Sequence, residues 1–525
     1  MLSNHNQHPL DPVRQAVRRY ISRFDIVLFF VIFSVAMLVH LYMFTHKFLN
    51  HDDVGGLYTQ GAYAIYSARW FIVPLTGLTG NLSNPWLNGV VSTLFLSVAV
   101  VLIARLFKVT YYLPAILMGI TLVSFPVIAS TYTYMFSAVP YMFALLFAVI
   151  GAYLIRSEKL PLMVLGSLSI ALAMGCYQAY FCFAAVILLV VVGLDLLDDR
   201  FDGKFKQIFF TCVKYVLFLA AGMVLYYIIL KICLYVKNVE LVSYQGIDSM
   251  GQIGLSHLVY RIVDAYRGFL KFFLNKVGVF HGWFVRLVGV AVFFTFIVLA
   301  IEIKNKKLWR KPVTLFFLAI IVVLFPLASG LVYVMVDSSV TAVHLLMLYP
   351  MVVLLVLPAV ALNRLVMPSF DAVMWKKRLC IVFALALLVV QALIGYECVL
   401  ITNRAYFTMG ITYENTYAFY TKLAAKLELQ EGYTAETPVA FIGRAKIQEY
   451  APRTNMTGVL NGDLALNMYT IPQYLRYFLA SDYTFVSSQR EAELSATTEF
   501  QEMPIYPAAG SIRTIDGVIV VKFSG

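Results

Sequence analysis

The chain is predicted to be a polytopic α-helical membrane protein ending in a small mixed α/β unit, and three observations predict it. Apolar residues fill 61% of its 525 positions and charged residues only 13%, where a soluble domain has roughly 45–50% and about 25%; mean hydropathy is +0.81. The apolar residues are gathered into runs of about 20, the length that crosses a bilayer core. After position 402 the balance turns polar, with an amphipathic stretch at 414–429 and short apolar runs at 438–442, 483–486 and 517–523, the pattern of a small domain standing in water. The expected division is a membrane domain over 1–401 and an extracytoplasmic α/β domain over 402–525.

In chain order, spans are expected at 24–45, 86–107, 111–130, 135–155, 160–176, 177–194, 209–236, 282–303, 313–336, 342–363 and 379–401, about eleven transmembrane helices. The first run exceeds a signal-peptide core and no small-residue cleavage site follows it, so it reads as a retained signal anchor. The run from 160 to 194 is too long for one helix and is split near Gly175-Cys176-Tyr177-Gln178. Orientation supports the split. Arg14, Arg18, Arg19 and Arg23 keep the N-terminus cytoplasmic, and eleven spans then place Arg105 with Lys108, Arg156 with Lys159, Arg200 with Lys204 and Lys206, Lys304 to Lys311, and Arg364 with Lys376 to Arg378 on that same side, as the positive-inside rule requires. The net charge of +12 is therefore a topology signal and not a nucleic-acid footprint. All six cysteines lie in or at the ends of apolar runs, so no disulfide framework is expected.

The same threading leaves 46–85, 237–281 and everything after about 402 outside. Two of these segments read as interfacial helices. One is Val54 to Trp70, with Tyr58, Ala62, Ile65 or Tyr66, and Arg69 at helical spacing; the other is Leu255 to Val277, carrying Arg261, Arg267, Lys271 and Lys276 among aromatic residues.

Candidate chemistry concentrates in Asn50-His51-Asp52-Asp53, directly after the first span, where Asp52 and Asp53 form the only adjacent acidic pair on the outer face. Ionisable groups at a membrane boundary are functional candidates by default, and a carboxylate there can take the proton of an attacking sugar or lipid hydroxyl. The plainer reading is that one Asp caps the helix starting near Val54. Lipid carriers leave as phosphates, which cations hold, Arg with a bidentate fork; Arg69, Arg261, Arg267 and Lys271 are the candidates, against a plainer role in anchoring helices to headgroups. Tyr177 and Gln178, at the expected outer turn between spans five and six, and His344, at the outer end of span ten, are candidate substrate contacts. Tyr at an interface and a lone His in packing are the plainer readings. Asn84-Pro85-Trp86 reads as a loop end with an interfacial Trp, and Asn81-Leu82-Ser83 and Asn455-Met456-Thr457 are sequons. No cluster has metal-ligand spacing, so no metal site and no resident cofactor is expected, with divalent-metal dependence left open. A transporter or flippase of lipid-linked oligosaccharide is the alternative class, but such a protein carries ionisable residues near the bilayer midplane, and here they sit at span ends. An envelope polysaccharide polymerase would usually present a large outer loop in mid-chain.

Several segments together resemble the bacterial type II Gtr-like glucosyltransferases, O-antigen-modifying enzymes of the GT-C superfamily of integral membrane glycosyltransferases. They are NHDDV at Asn50 to Val54, ARW at Ala68 to Trp70, NPWLNG at Asn84 to Gly89, the FP and YMFSAVPYMFAL patterns from Phe125 to Leu145, and GCYQAY at Gly175 to Tyr180. The resemblance implies a GT-C-like fold in the bacterial plasma membrane and inverting transfer of glucose or another hexose from a polyprenyl-phosphate donor to a cell-envelope glycan. It also implies that an acidic residue of the first outer loop is the base, a role that by position falls on Asp52 or Asp53; Asp53 is the expected base, with Asp52 as alternate. The chain departs from the family pattern at Ser137, where members often carry an acid, and at His344, where arginine is common.

Overall fold

In a computed structural model the described residues are 20–48, 50–55, 57, 64–241, 255–275, 279–280, 282–336, 343–367, 373–445, 454, 456, 458–461, 466 and 470–524. Arg14, Arg18, Arg19, Tyr58, Ala62, Lys276, Val277, Asn455 and Thr457 lie outside them. The membrane part runs through α1 (Arg23–Thr45), a five-residue α2 (His51–Gly55), α3 (Ile72–Thr76), α4 (Pro85–Leu106), α5 (Tyr112–Ser124), α6 (Pro126–Tyr132), α7 (Met135–Ile155), α8 (Leu160–Cys176) and α9 (Tyr180–Leu197). It continues through α10 (Phe205–Lys237), α11 (Leu255–Leu274), α12 (Gly282–Asn305), α13 (Pro312–Ser329), the single turn α14 (Val332–Met335), α15 (Val352–Arg364) and α16 (Met374–Glu428).

Among the described residues eight helices are long and apolar enough to cross a membrane, or nine if the bent pair α5 and α6 is one span; α8 and the helical stretch Tyr349–Arg364, which contains α15, are shorter. The expected position of every span holds an apolar helix, but the count of eleven is not reached: α8 and Tyr349–Arg364 fall short of the length a bilayer core demands, and α5 and α6 do so unless the bent pair acts as one span. The long run from 160 to 194 does break, at Tyr177, whose extended backbone ends α8. The expected helix from Val54 to Trp70 is corrected at both of its described ends. It is a single turn and a half in α2, and 64–68 is a turn with Ala68 at φ 61.

Prolines and polar caps set the helix starts. Ser22 and Asp25 form a capping box at α1, and α4, α6, α8 and α13 each begin with proline in their first turn, where its missing N–H is no loss. Pro126 does more. Between α5 and α6 the path bends by 43°, because proline has no N–H to give the preceding turn and crowds it sterically. The carbonyls around the bend are taken by side chains from three other elements. Tyr349 donates to Leu122 O (3.0 Å), His40 of α1 contacts Val123 O (2.9 Å) and Thr402 of α16 donates to Ser124 O (2.9 Å). His40 is held in turn by the Tyr406 hydroxyl at 2.7 Å.

At one end of the bundle, charged side chains interlock. Arg105 grips Asp25 with two bonds of 2.8 and 2.6 Å. Asp195, almost wholly buried at the end of α9, receives Lys108 (2.7 Å), Arg156 (2.9 Å) and Arg200 (2.8 Å). Asp198 joins Lys108, Lys306 and Arg364, and Arg364 also pairs with Glu302. The basic clusters expected on one side of the membrane thus meet at one end, tied to acids.

The helix α16 is 55 residues long, about 80 Å at 1.5 Å per residue, and runs without interruption through position 401. Its last turns form one wall of the C-terminal unit, which contains β1 (Pro438–Ile442), α17 (Ile471–Leu479), β2 (Thr484–Phe485), α18 (Ser488–Ser495), α19 (Thr498–Glu502), β3 (Ile512–Ile515) and β4 (Val518–Lys522). Its sheet has the order β2-β1-β4-β3, with β1 parallel to β2 and β4 and with β3 antiparallel to β4. Strand alternation divides it into two cores. Val439, Phe441, Ile519 and Val521 face Tyr420, Leu423, Leu427 and Tyr474, whereas Ala440, Val518 and Val520 face Leu494, Phe500 and Met503.

His40→Ala leaves the Val123 carbonyl and the Tyr406 hydroxyl buried without this partner, a cost of roughly 1–3 kcal/mol per orphaned group. Thermal unfolding of the detergent-solubilised protein is expected to show a lowered midpoint for His40→Ala and for Thr402→Val, each greater than for an apolar truncation on a lipid-facing position such as Leu38→Ala.

Candidate active site

Helix α2 is too short to be stable by itself and is fixed by what surrounds it. Asn50 is its cap, its side-chain oxygen accepting from the Asp53 amide at 2.9 Å while its amide nitrogen donates to Thr133 O at 2.7 Å. The plainer expectation, that one Asp caps this helix, therefore gives way to Asn50 as cap. Asp53 instead caps a different helix. Its fully buried carboxylate accepts from the Met135 and Phe136 amides (3.1 and 3.0 Å) at the N-terminus of α7, and from Ser83 Oγ at 2.7 Å. A helix N-terminus suits a carboxylate because its first amides lack helical partners and carry the positive end of the dipole. Burial pushes the Asp53 carboxyl up to about 7, against the three hydrogen bonds that favour its ionised form and with a further push from Asp52. Asp52 is different in kind. Its side chain is 42% exposed, with His51 Nε2 at 3.6 Å.

Asn88 completes this cluster, donating to Leu82 O and Met135 O, both at 3.0 Å. Ser83 and Asn88 were not among the expected site residues; their only sequence signals were the third place of a sequon and a place in NPWLNG. The strip between them and the end of α1 leaves an open groove of about 310 Å³, bordered by His46, Lys47, Leu57, Ser83, Asn84 and Trp86.

A second cluster sits about 9 Å further along α7, taking six residues at 1.5 Å each. Arg69 donates to the Tyr141 hydroxyl at 3.1 Å and lies against two rings, 6.0 Å from the centroid of Tyr141 and 5.2 Å from that of Tyr177, a cation–π arrangement. Tyr141 and Tyr177 stack at 4.5 Å. The Ala68 to Phe71 strip is seated on the turn between α8 and α9. Phe71 N donates to Gly175 O at 2.8 Å, and a Cβ at Gly175 would stand 2.7 Å from the Trp70 ring, so only glycine fits there. Gln178 donates to Ala68 O (3.3 Å) and to the Tyr226 hydroxyl (2.9 Å), which itself donates to Ala68 O at 2.9 Å. The Gln178 amide nitrogen thus secures the left-handed Ala68.

The remaining expected ligands are elsewhere. Arg261, Arg267 and Lys271 belong to α11, which packs on α13 and α14; Arg261 donates to Val334 O at 3.4 Å, Arg267 pairs with Asp264 at 3.6 Å, and Lys271 is exposed. His344 is exposed and precedes the Leu345–Met347 turn, outside α15 rather than within a span. A relay of ring contacts links Tyr177 to Tyr180 (5.8 Å), Tyr180 to Tyr349 (6.3 Å), Tyr349 to Phe125 (6.1 Å) and Phe125 to Phe272 of α11 (6.0 Å).

A sealed Asp53 beside a half-exposed Asp52 thus stands at one end of an apolar helical bundle, with the ring-caged Arg69 further along α7. The comparison with known families specifies the class. The family model "Glucosyl transferase GtrII" matches residues 41–355, and the chain belongs to that glucosyltransferase family. It is a membrane glycosyltransferase, acting between a sugar donor and an acceptor. No curated protein and no solved structure matches it. The matched region contains both clusters on α7.

Because the folded state raises the Asp53 pKa from 3.8 to about 7, the folded state binds that proton more tightly than the unfolded chain. Its contribution is full below about pH 4 and is lost as pH rises through about 7. Thermal unfolding between pH 5 and 8 is expected to show a falling midpoint in the wild type, reflecting a loss of stability on the order of a few kcal/mol across the range, and a flatter profile in Asp53→Asn.

Proposed function

We propose that the chain is a GT-C-type enzyme of the bacterial plasma membrane that transfers a hexose, glucose by family, from a polyprenyl-phosphate donor to a cell-envelope glycan with inversion at the anomeric carbon. The observation that carries this reading is the convergence of five separated segments, NHDDV, ARW, NPWLNG, YMFSAVPYMFAL and GCYQAY, on the first turns of α7. The ionic clusters at the opposite end of the helices support an orientation with this site on the outer face, and support a C-terminal unit on that face.

In this mechanism Asp52 is the base and Asp53 positions it, the reverse of the order expected from the sequence. A base must come within about 3 Å of the hydroxyl it deprotonates. Asp52 is half-exposed, whereas Asp53 is sealed and bonded by three donors. The acceptor O–H gives its proton to the Asp52 carboxylate as its oxygen bonds to the anomeric carbon. The bond from that carbon to the phosphate oxygen breaks on the opposite side, and the polyprenyl phosphate leaves with the electron pair. Single displacement inverts the centre. Arg69, its guanidinium steadied by Tyr141 and Tyr177, offsets the charge that develops on the phosphate, with Tyr177 walling the donor. The cations of α11, joined to Tyr177 by the relay of rings, offer the anionic carrier further contacts.

Purified protein in liposomes with radiolabelled polyprenyl-phosphate glucose is expected to label envelope glycan extracted from cells deleted for this chain. Asp52→Asn should lower the rate by about 10² or more with an unchanged unfolding midpoint. Wild-type rates in Asp52→Asn would remove the base assignment, and absence of label transfer by the wild type would remove the donor.

A further inference from the structure

The groove beside Ser83 is used by nothing in the mechanism above. Its borders come from three places: the end of α1 (Thr45, His46, Lys47), Leu57 after α2, and the segment leading into α4 (Ser83, Asn84, Trp86). Its volume, about 310 Å³, lies at the small end of ligand sites, room for a sugar ring and little more. Trp86 stands on its border with 60% of its surface exposed, held on the first turn of α4 directly after Pro85. An indole in that state offers a flat apolar face and one N–H donor. Asn84 precedes the helix without using its side chain as a cap. Lys47 brings an ammonium, its Nζ 5.4 Å from the Phe478 ring of α17. His46 is fixed in place by Tyr42 O at 2.9 Å and by stacking on Phe48 at 5.1 Å. Through Ser83 the groove touches Asp53 at 2.7 Å, one residue from the base.

We propose that this groove is the acceptor subsite, where one neutral pyranose ring of the glycan stacks on Trp86 and receives hydrogen bonds from Lys47 and Asn84, seated next to the acid pair of α2 through Ser83. The inference rests on the transferase reading and adds the acceptor's seat to it. Three features favour an acceptor sugar over the donor's phosphate. The described residues that border the groove include no arginine, whereas Arg69 stands further along α7. A stacking face and an amide match the apolar face and hydroxyl rim of a pyranose. The border residues Leu57 and Lys47 contact the C-terminal unit, Leu57 in its core and Lys47 over Phe478, so the groove opens beside the water-exposed part of the molecule, from which a glycan arrives.

The test uses the full-length protein in nanodiscs and the same extracted envelope glycan. Calorimetric binding without donor is expected to weaken about tenfold in Trp86→Ala and in Lys47→Met, with Trp86→Phe recovering most of the loss. In the transfer assay the same variants should raise KM for the glycan by a similar factor while KM for polyprenyl-phosphate glucose stays constant. Unchanged glycan binding overturns the proposal, including the case in which Trp86→Ala only lowers the unfolding midpoint, as a merely interfacial Trp would. A rise in donor KM with glycan binding intact overturns it in favour of a donor site. Because binding is read without donor, glycan bound through Trp86 by a protein that transfers no label would uphold the subsite and sink the donor assignment alone.

Discussion

A carboxylate without solvent needs donors that do not move, and Asp53 takes its donors from the start of α7 and from Ser83. An isolated charge in an apolar interior costs far more than a protein can supply, so this group is kept only because three N–H or O–H donors converge on it. Those donors are in place only if α7 begins at Met135, which depends on the turn at 133–134 and on α6 before it. The direction of α6 is set in turn by the break at Pro126, and the break is tolerable because Tyr349, His40 and Thr402 take the nearby carbonyls. A backbone defect deep in the bundle and the chemistry at its end are one structure.

The two ends of the bundle are built differently. At one, Asp195, Asp198 and Glu302 are matched with Lys and Arg in a continuous network. Buried ion pairs add little net stability but penalise any arrangement that parts them, so this network fixes how α4, α7, α9, α12 and α15 register. At the other end the polar groups are mostly amides and hydroxyls, Asn50, Ser83, Asn88, Tyr141, Gln178 and Tyr226, joined by direct hydrogen bonds. Among the described residues at that end, charge is carried by the acid pair, Lys47 and Arg69, few enough that the hydroxyls and amides shape the field that a charged substrate meets.

How much of this could be read from residues depends on how far apart the partners lie. Hydropathy located the apolar helices because burial in lipid is a property of a run, and the break at Tyr177 followed from length and charge together. The short C-terminal strands at 438–442 and 517–523 were visible for the same local reason. Pairings over long separations were not legible. That Asp53 caps α7, 82 residues on, or that Gln178 holds Ala68 across 110 residues, leaves no periodic trace. Asp52 and Asp53 looked equivalent because adjacency carries no information about burial. The Val54–Trp70 helix was misread at Ala68 because spacing of apolar residues does not reveal a left-handed turn imposed by Gln178 and Tyr226. A division at 401 followed composition, while backbone hydrogen bonding carried α16 on to Glu428.

That continuity bears on the site. Five residues make an α-helix too short to persist in water, and α2 buries Asp53 on one side while Val54, with Leu57 just beyond, enters the core formed by Tyr420, Leu423, Leu427 and Tyr474. The segment is held from both directions, by α7 through hydrogen bonds and by the C-terminal unit through apolar burial. Since α16 is a single rod that crosses the bundle at Thr402 and Tyr406 and ends in that unit, the C-terminal core is placed relative to the Pro126 break by the same helix that supports the break. A half-exposed Asp52 can then keep a defined position without being buried itself, because the residues on either side of it, His51 with its ring 3.6 Å from the Asp52 carboxylate and Asp53 in its seal, belong to a turn fixed at both faces.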